Sequence, residues 1–571
     1  MSRKISLLSI LGAAALLIVI IVAGLGRTEE DNLYANIKLF DRVAINIKSK
    51  YVEEVDSKEL IYTGIRAMLE SLDPYTQFFE KGDYDELMVQ TRGKFGGLGI
   101  EIGIRNGVLT VISPIVGTPA YEIGLQAGDR IIKIEGESTK GITTQGAVKK
   151  LRGPKGTKVT ITVEREGELE SIDYTITRDI IEINSVPFAD EVAPGIGYIH
   201  LARFSENAEH DLENALKELV DRGIEGLILD LRHNPGGLLP QAVHVADLFL
   251  DQDQLIVYTK GRGEKTTASF EAKTPALYNE KPLIILVNKG SASASEIVSG
   301  AVQDWDRGLI LGTTTWGKGL VQTVIPTNQE TALKITTAKY YTPSGRCIQR
   351  DEREDEEQLM VELLDQEDLE QLEQGETKEV PEQLENNEDS EGKGEFQTKA
   401  GRIVYGGGGI TPDVIIESER LSTFEYELLR KSMFFRFAVK YVAKHKDLKR
   451  SFVVDDQMMA EFKNFLEEED FQYRSSAEKQ LEELVEEVEK SEYDSKIAVT
   501  LDQLKNQLSE EKQQDFQRSD DYLRKTLKLE IVSKIWGREA RYEEAMKVDP
   551  QIVAALEILT TPGRYDKELG T

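Results

Sequence analysis

The sequence predicts a mixed α/β protein: an α/β core with a strand-rich module ahead of it and helical regions at both ends. Three observations carry this. From Gly195 onward, apolar strand-like runs alternate with amphipathic helical patterns, as in mainly parallel sheets. Between Ile100 and Glu164, short alternating runs are separated by Asn106-Gly107 and Glu135-Gly136 turns. At 571 residues the chain exceeds what a single hydrophobic core supports, so several domains are expected.

Residues 1–27 form the first element. Arg3 and Lys4 precede a stretch from Ile5 to Gly26 without a charged residue, long enough to cross a bilayer at about 1.5 Å per residue. Gly24-Leu25-Gly26 is a poor small-x-small cleavage site, which favours a retained anchor over a cleaved signal. Basic residues before the segment, with Glu29, Glu30 and Asp31 after it, place the body outside the cytoplasm. The expected location is therefore membrane-anchored, facing the periplasm or cell exterior.

Residues 28–90 read as helices. Ile47, Tyr51 and Val55 share one face, and Ile61, Ile65, Met68 and Leu72 another, with Asp73-Pro74 ending the second run. The strand-rich module covers 91–178. It opens on a Gly-rich run, Gly93 to Ile100, and has strands at 100–104, 108–112, 129–134 and 158–164 with a helix from Thr143 to Leu151.

The α/β core occupies 179–350 and 400–419. Strands are expected at 197–201, 227–231 and 283–287, and a helix at 206–222. The strands at 227–231 and 283–287 run into the loops His233-Asn234-Pro235-Gly236-Gly237 and Asn288 to Ser293; sites form at such carboxyl ends. Residues 351–399 read as an acidic, disordered insert. From Asp351 to Glu395 there are 20 acidic residues against Arg353, Lys378 and Lys393, so this segment holds more than half of the net charge of −31. Residues 420–571 form a charged helical extension.

Composition excludes some chemistry. Phosphate neutralisation needs clustered Lys and Arg, so no nucleic acid is expected as a partner. Cys347 is the only cysteine, ruling out an internal disulfide, and the five histidines lack metal-ligand spacing. No metal or cofactor is expected.

The chemistry concentrates in Ser291-Ala292-Ser293-Ala294-Ser295-Glu296 and Trp316-Gly317-Lys318-Gly319-Leu320-Val321-Gln322. Ile297, Val298, Ala301, Val302 and Trp305 follow helical spacing, so Ser293 sits at a helix start, where unpartnered N–H groups can hold an oxyanion. Ala294 is one candidate donor; Gly236 or Gly237 is the other. Lys318 is a candidate base, although only about one ordinary lysine in 2,500 is neutral at pH 7. Burial against Trp316 and Val321 would raise that fraction. Gln322 would share a face with Lys318 on a helical turn and could orient its amine. Spacing alone does not choose among the three serines.

These segments resemble the carboxyl-terminal processing peptidases, or tail-specific proteases. Besides the two site segments, the matching stretches are Ser71-Leu72-Asp73-Pro74-Tyr75-Thr76, Gly97-Leu98-Gly99, Asp230 to Gly237 and Tyr341 to Arg346. The resemblance implies Ser293 as nucleophile, Lys318 as base and Gln322 as the lysine-orienting residue. It also implies a crotonase- or Clp-protease-like core with an inserted PDZ domain, and substrates recognised through accessible C-termini. A PDZ groove would hold a terminal carboxylate at Gly96, Gly97, Leu98, Gly99 and Ile100, with Ala147, Val148 and Leu151 lining the side-chain pocket. Arg152 and Lys155 are candidates for coupling the groove to catalysis. The helical extension is a candidate surface for homo-oligomers or an adaptor. The rival readings are a silent tail-binding scaffold and an acyl-CoA enzyme on a crotonase-like fold.

Overall fold

The computed structural model describes residues 33–262, 266–328, 330–350, 394–417, 419–490 and 495–570. The expected anchor and most of the acidic insert lie outside the described residues. Among the described residues, no helix is long and apolar enough to cross a membrane.

The chain divides into two compact units, residues 1–81 with 322–336, and residues 82–321 with 337–571. In the first, helices span Leu33–Lys50 and Ser57–Glu70. Asp56 caps the second helix, accepting the Lys58 N–H at 2.7 Å. The expected faces are shorter than foreseen: Tyr51 and Val55 lie past the first helix, and Leu72 past the second. Strand Gln77–Phe79 pairs antiparallel with residues 332–334.

Asp73 organises the turn between helix and strand. Its Oδ1 accepts the N–H groups of Tyr75 and Thr76, both at 2.8 Å, and its Oδ2 accepts the Thr76 hydroxyl at 2.8 Å. The Thr76 oxygen in turn accepts the Thr336 N–H at 3.1 Å. The Ser71 to Thr76 motif is thus a turn that fastens a strand by side-chain hydrogen bonds.

In the second unit, the strand-rich module forms a sheet ordered Ile100–Arg105, Val108–Pro114, Arg130–Ile134, Lys158–Glu164, Ile172–Thr177. Leu109, Val111, Ile131, Ile161 and Val163 are buried within it under the helix Thr144–Leu151. Among the described residues, strand Ile100–Arg105 ends the sheet and pairs on one side only. The Gly-rich opening is itself a strand in part: Lys94–Gly97 pairs with Asp179–Glu182.

The core sheet runs Phe188–Ala193, Ile196–His200, Gly226–Asp230, Leu283–Val287, Leu309–Gly312, Val414–Ile415. Its first pair is antiparallel and the rest parallel. Continuous apolar runs such as Leu283 to Val287 are what a sheet buried on both faces requires. Leu227, Leu229, Ile285 and Val287 pack with the helices Ala208–Asp221, Leu239–Asp247 and Ala294–Asp304. Tyr198, Ile228, Ile284 and Leu286 pack against Ile552, Ala555, Ile558 and Tyr565.

Residues 420–571 are thus more than a charged extension: their last helices complete the core. Arg232 seals the join, pairing with Asp230 at 2.6 Å and Asp549 at 2.8 Å. A correction concerns the insert boundary. Strand Gly394–Gln397 pairs with Ile403–Gly406, and the Lys399 N–H donates to Asp304 at 2.9 Å, so residues 394–399 belong to the core.

Candidate active site

Ser293 is the N-cap of the helix Ala294–Asp304, whose residues are all buried. Its backbone has φ 55° and ψ −110°, a sparsely populated region for a residue with a side chain that costs roughly 1–3 kcal/mol.

The three serines differ sharply in their surroundings. Ser291 is fully buried, its hydroxyl donating to Leu231 O at 2.8 Å and accepting the Asn288 N–H at 3.0 Å. Ser295 is fully buried and donates to Asn234 O at 2.9 Å. Ser293 alone of the three is partly exposed.

The loop from His233 to Gly237 is built on Asn234, which is fully buried. Asn234 Nδ2 donates to Leu201 O at 2.7 Å, and its backbone oxygen accepts the Ala292 N–H at 3.0 Å. Its Oδ1 accepts the Gly236 N–H at 2.9 Å. This corrects the expected donor set: Gly236 has already spent its N–H. The N–H groups of Gly237 and Ala294 donate to no group among the described residues. Gly236 contributes closeness instead. A Cβ there would lie 2.7 Å from Ala292 O and 2.9 Å from the Ser293 Cβ.

Lys318 follows a loop that closes onto Glu296, one turn into the Ser293 helix. Glu296 is fully buried and accepts four hydrogen bonds. Its Oε1 takes the Thr315 hydroxyl at 2.5 Å and the Gly317 N–H at 2.6 Å; its Oε2 takes the N–H groups of Ser293 at 2.7 Å and Lys318 at 3.0 Å. Burial pushes this carboxyl above its ordinary value, and the four donors pull it back. Tyr340 meets the same two residues at their carbonyls, its one hydroxyl proton shared between Lys318 O at 2.7 Å and Ser293 O at 3.1 Å. Burial, then the Glu296 charge, pushes the phenol well up, so it remains a donor.

Of the two expected walls around Lys318, Val321 packs against the main core, whereas Trp316 is 51% exposed. Lys318 itself is partly buried. Gln322 belongs to the first unit and lies on strand Leu320–Pro326, so the helical turn expected for it is absent. Its Nε2 donates to Thr336 Oγ1 at 3.4 Å, and the Thr336 hydroxyl donates to Asp73 Oδ1 at 3.2 Å.

In the strand-rich module, Gly96 and Gly97 lie in a strand rather than a free loop, leaving Leu98, Gly99 and Ile100 at the expected carboxylate site. Leu98, Ala147 and Leu151 are buried in the module's core, while Ile100 and Val148 are partly exposed. Arg152 pairs with Glu86 and lies 4.5 Å over the Phe95 ring, and Lys155 pairs with Asp179 at 2.6 Å. Among the described residues, no cluster of His, Cys, Asp or Glu could hold a metal ion.

Three family models match the chain: peptidase family S41 over 195–357, a PDZ domain over 110–165, and a probable PDZ-protease C-terminal helical domain over 424–559. A carboxy-terminal-processing protease of Bartonella bacilliformis is 42% identical over 336 residues, covering 58% of this chain and 77% of its own. The chain belongs to the carboxy-terminal-processing protease family. It is a serine protease with a mixed α/β core, a PDZ domain and a C-terminal helical domain. A carboxyl-terminal-processing protease of Synechocystis is 39% identical, covering 53% of this chain and 72% of its own. The solved photosystem II D1 C-terminal processing protease is 31% identical, covering 55% of this chain and 90% of its own, with a TM-score of 0.33.

The site residues that the sequence left without a role are Asn234, Glu296 and Tyr340. Glu296 was visible only as an acidic residue in the first turn of a helix, and Tyr340 meets the site through non-local pairing.

Proposed function

We propose that this protease captures protein C-termini in its PDZ groove and cleaves peptide bonds with Ser293 as nucleophile and Lys318 as general base. The observation that carries this reading is the contrast among the serines: Ser291 and Ser295 are buried with bonded hydroxyls, and Ser293 is partly exposed at a strained helix start.

In this reading, neutral Lys318 takes the Ser293 proton as Oγ attacks the scissile carbonyl. The Gly237 and Ala294 N–H groups hold the oxyanion, helped by the dipole of the helix behind Ser293. Lys318 then gives its proton to the leaving amine, and water hydrolyses the acyl-enzyme. Gln322 orients the Lys318 amine. The unpaired edge of strand Ile100–Arg105 supports capture of a substrate tail as an added strand, with its carboxylate at Leu98 to Ile100. Residues 5–26 anchor the protein in a membrane, with the protease on the far side from the cytoplasm; the helical extension is the surface for oligomers or an adaptor.

The test is cleavage of an unfolded substrate with an apolar C-terminus by wild type, Ser293→Ala and Lys318→Ala. Loss of cleavage in both variants supports the reading. Equal cleavage by wild type and Ser293→Ala refutes it; no cleavage by any of the three favours a tail-binding scaffold.

A further inference from the structure

We infer that Glu296 and Tyr340 are positioning residues for the Ser293/Lys318 pair, clamping the backbone of the nucleophile to the backbone of the base. The inference rests on the proposed roles of Ser293 and Lys318.

The two residues are tied at both ends of their main-chain polar groups. On the N–H side, one carboxylate oxygen, Glu296 Oε2, accepts from Ser293 at 2.7 Å and from Lys318 at 3.0 Å. On the C=O side, the single hydroxyl proton of Tyr340 is shared between Lys318 O at 2.7 Å and Ser293 O at 3.1 Å. The bracing groups are themselves immobilised. Glu296 is fully buried, and its other oxygen is held by Thr315 and Gly317; Tyr340 is 1% exposed within the main core.

Glu296 also acts on the conformation of Ser293. A non-glycine residue at φ 55° persists only where its surroundings over-determine it, and the bond from the Ser293 N–H to Glu296 is one such constraint. A carboxylate can do this where an amide cannot. Both oxygens of Glu296 face donors, so Glu296→Gln would turn an NH₂ group toward N–H or O–H groups on one side. The Tyr340 hydroxyl keeps the two loops in register from the opposite side, independently of any contact between the reacting side chains. A misplacement of about 1 Å at a reacting group costs on the order of 10²-fold in rate, so the clamp acts on kcat rather than on substrate capture in the PDZ groove, to which neither residue belongs.

The experiment uses the full chain in detergent, comparing wild type, Tyr340→Phe, Glu296→Gln, Ser293→Ala and Lys318→Ala. Three things are read: kcat and KM on a peptide with an apolar C-terminus, the rate at which a fluorophosphonate phosphonylates Ser293 with loss of fluoride, and the unfolding temperature. Tyr340→Phe is expected to lower kcat and the phosphonylation rate together, about 10- to 100-fold, with KM within about twofold and little change in unfolding temperature. Glu296→Gln is expected to lose more; if it fails to fold, Tyr340→Phe alone decides. A Tyr340→Phe protein with wild-type kcat and phosphonylation rate overturns the inference, as does a loss of rate that merely follows a loss of folded protein. Wild-type cleavage by Ser293→Ala or Lys318→Ala would instead remove the Ser/Lys reading on which the inference stands.

Discussion

The backbone of Gly236 lies against Ser293 so closely that a Cβ at residue 236 would stand 2.9 Å from the Ser293 Cβ and 2.7 Å from Ala292 O. Gly236 also has φ 96°, which side-chain-bearing residues rarely adopt. Gly236→Ala is therefore expected to push the loop away from the proposed nucleophile and displace the proposed Gly237 donor, lowering kcat by about 10²- to 10³-fold, the usual cost of a lost oxyanion donor. Steady-state hydrolysis alongside thermal unfolding checks this. Near-normal kcat in a folded variant would count against the oxyanion assignment.

Thr336 links the Gln322 amide to Asp73. Thr336→Val removes the hydroxyl at nearly constant volume. Because the Gln322 bond is long, the expected loss in kcat is modest, about 3- to 10-fold, in line with the ~1 kcal/mol of an ordinary hydrogen bond. Gln322→Ala should lose more. Equal kcat in wild type and both variants would remove Gln322 from the mechanism.

The helical domain meets the PDZ domain through Lys534, which donates to Ala127 O beside the ion pair of buried Asp129 with partly buried Arg165. Burial pulls the Lys534 amine down to about 8. Between that value and the ordinary value of 10.5, the unfolded chain binds more protons than the folded one, so this residue makes stability rise with pH across that window. Below pH 8 its full cost is present. Denaturant unfolding of wild type and Lys534→Met should show the stability gap changing in favour of wild type from pH 8 to 10. A gap independent of pH would contradict the assignment.

Residues 394–399 pair within the core, and none of the proposed site residues falls in 351–393. Replacing 351–393 by a short linker should leave peptide hydrolysis within about twofold of wild type. Extending the deletion to residue 399 removes strand Gly394–Gln397 and the Lys399 bond to Asp304, and should lower the unfolding temperature. Comparing the two deletions by hydrolysis and thermal melting checks both outcomes.

Much of the fold was legible in the sequence because its signals are local. The apolar run Leu283 to Val287 is the observed strand, and the expected module strands at 100–104, 108–112 and 158–164 fall within or match those observed. The helix beginning after Ser293 was equally plain from its spacing. What escaped depends on partners distant in the chain. Three alternating serines look alike until Leu231 O and Asn234 O are seen to occupy two of them. Gln322 was read on helical spacing, although the β-branched residues of Val321 to Ile325 signal the observed strand. Asn234 stood in the sequence only as one residue of the loop after a strand, yet its side chain uses up the Gly236 donor. The tail's part in the core was hidden because Ile552, Ala555 and Ile558 meet the sheet only after the chain returns to it.

The central claim is that Ser293, activated by Lys318, is the nucleophile. The most direct test is peptide mass mapping of full-length wild type and Lys318→Ala after treatment with a fluorophosphonate. The account expects a single adduct on Ser293 in wild type and loss of at least about 10²-fold in labelling rate in Lys318→Ala, the lower range of general-base catalysis. An adduct on Ser291 or Ser295, or undiminished labelling of Ser293 without Lys318, would contradict it.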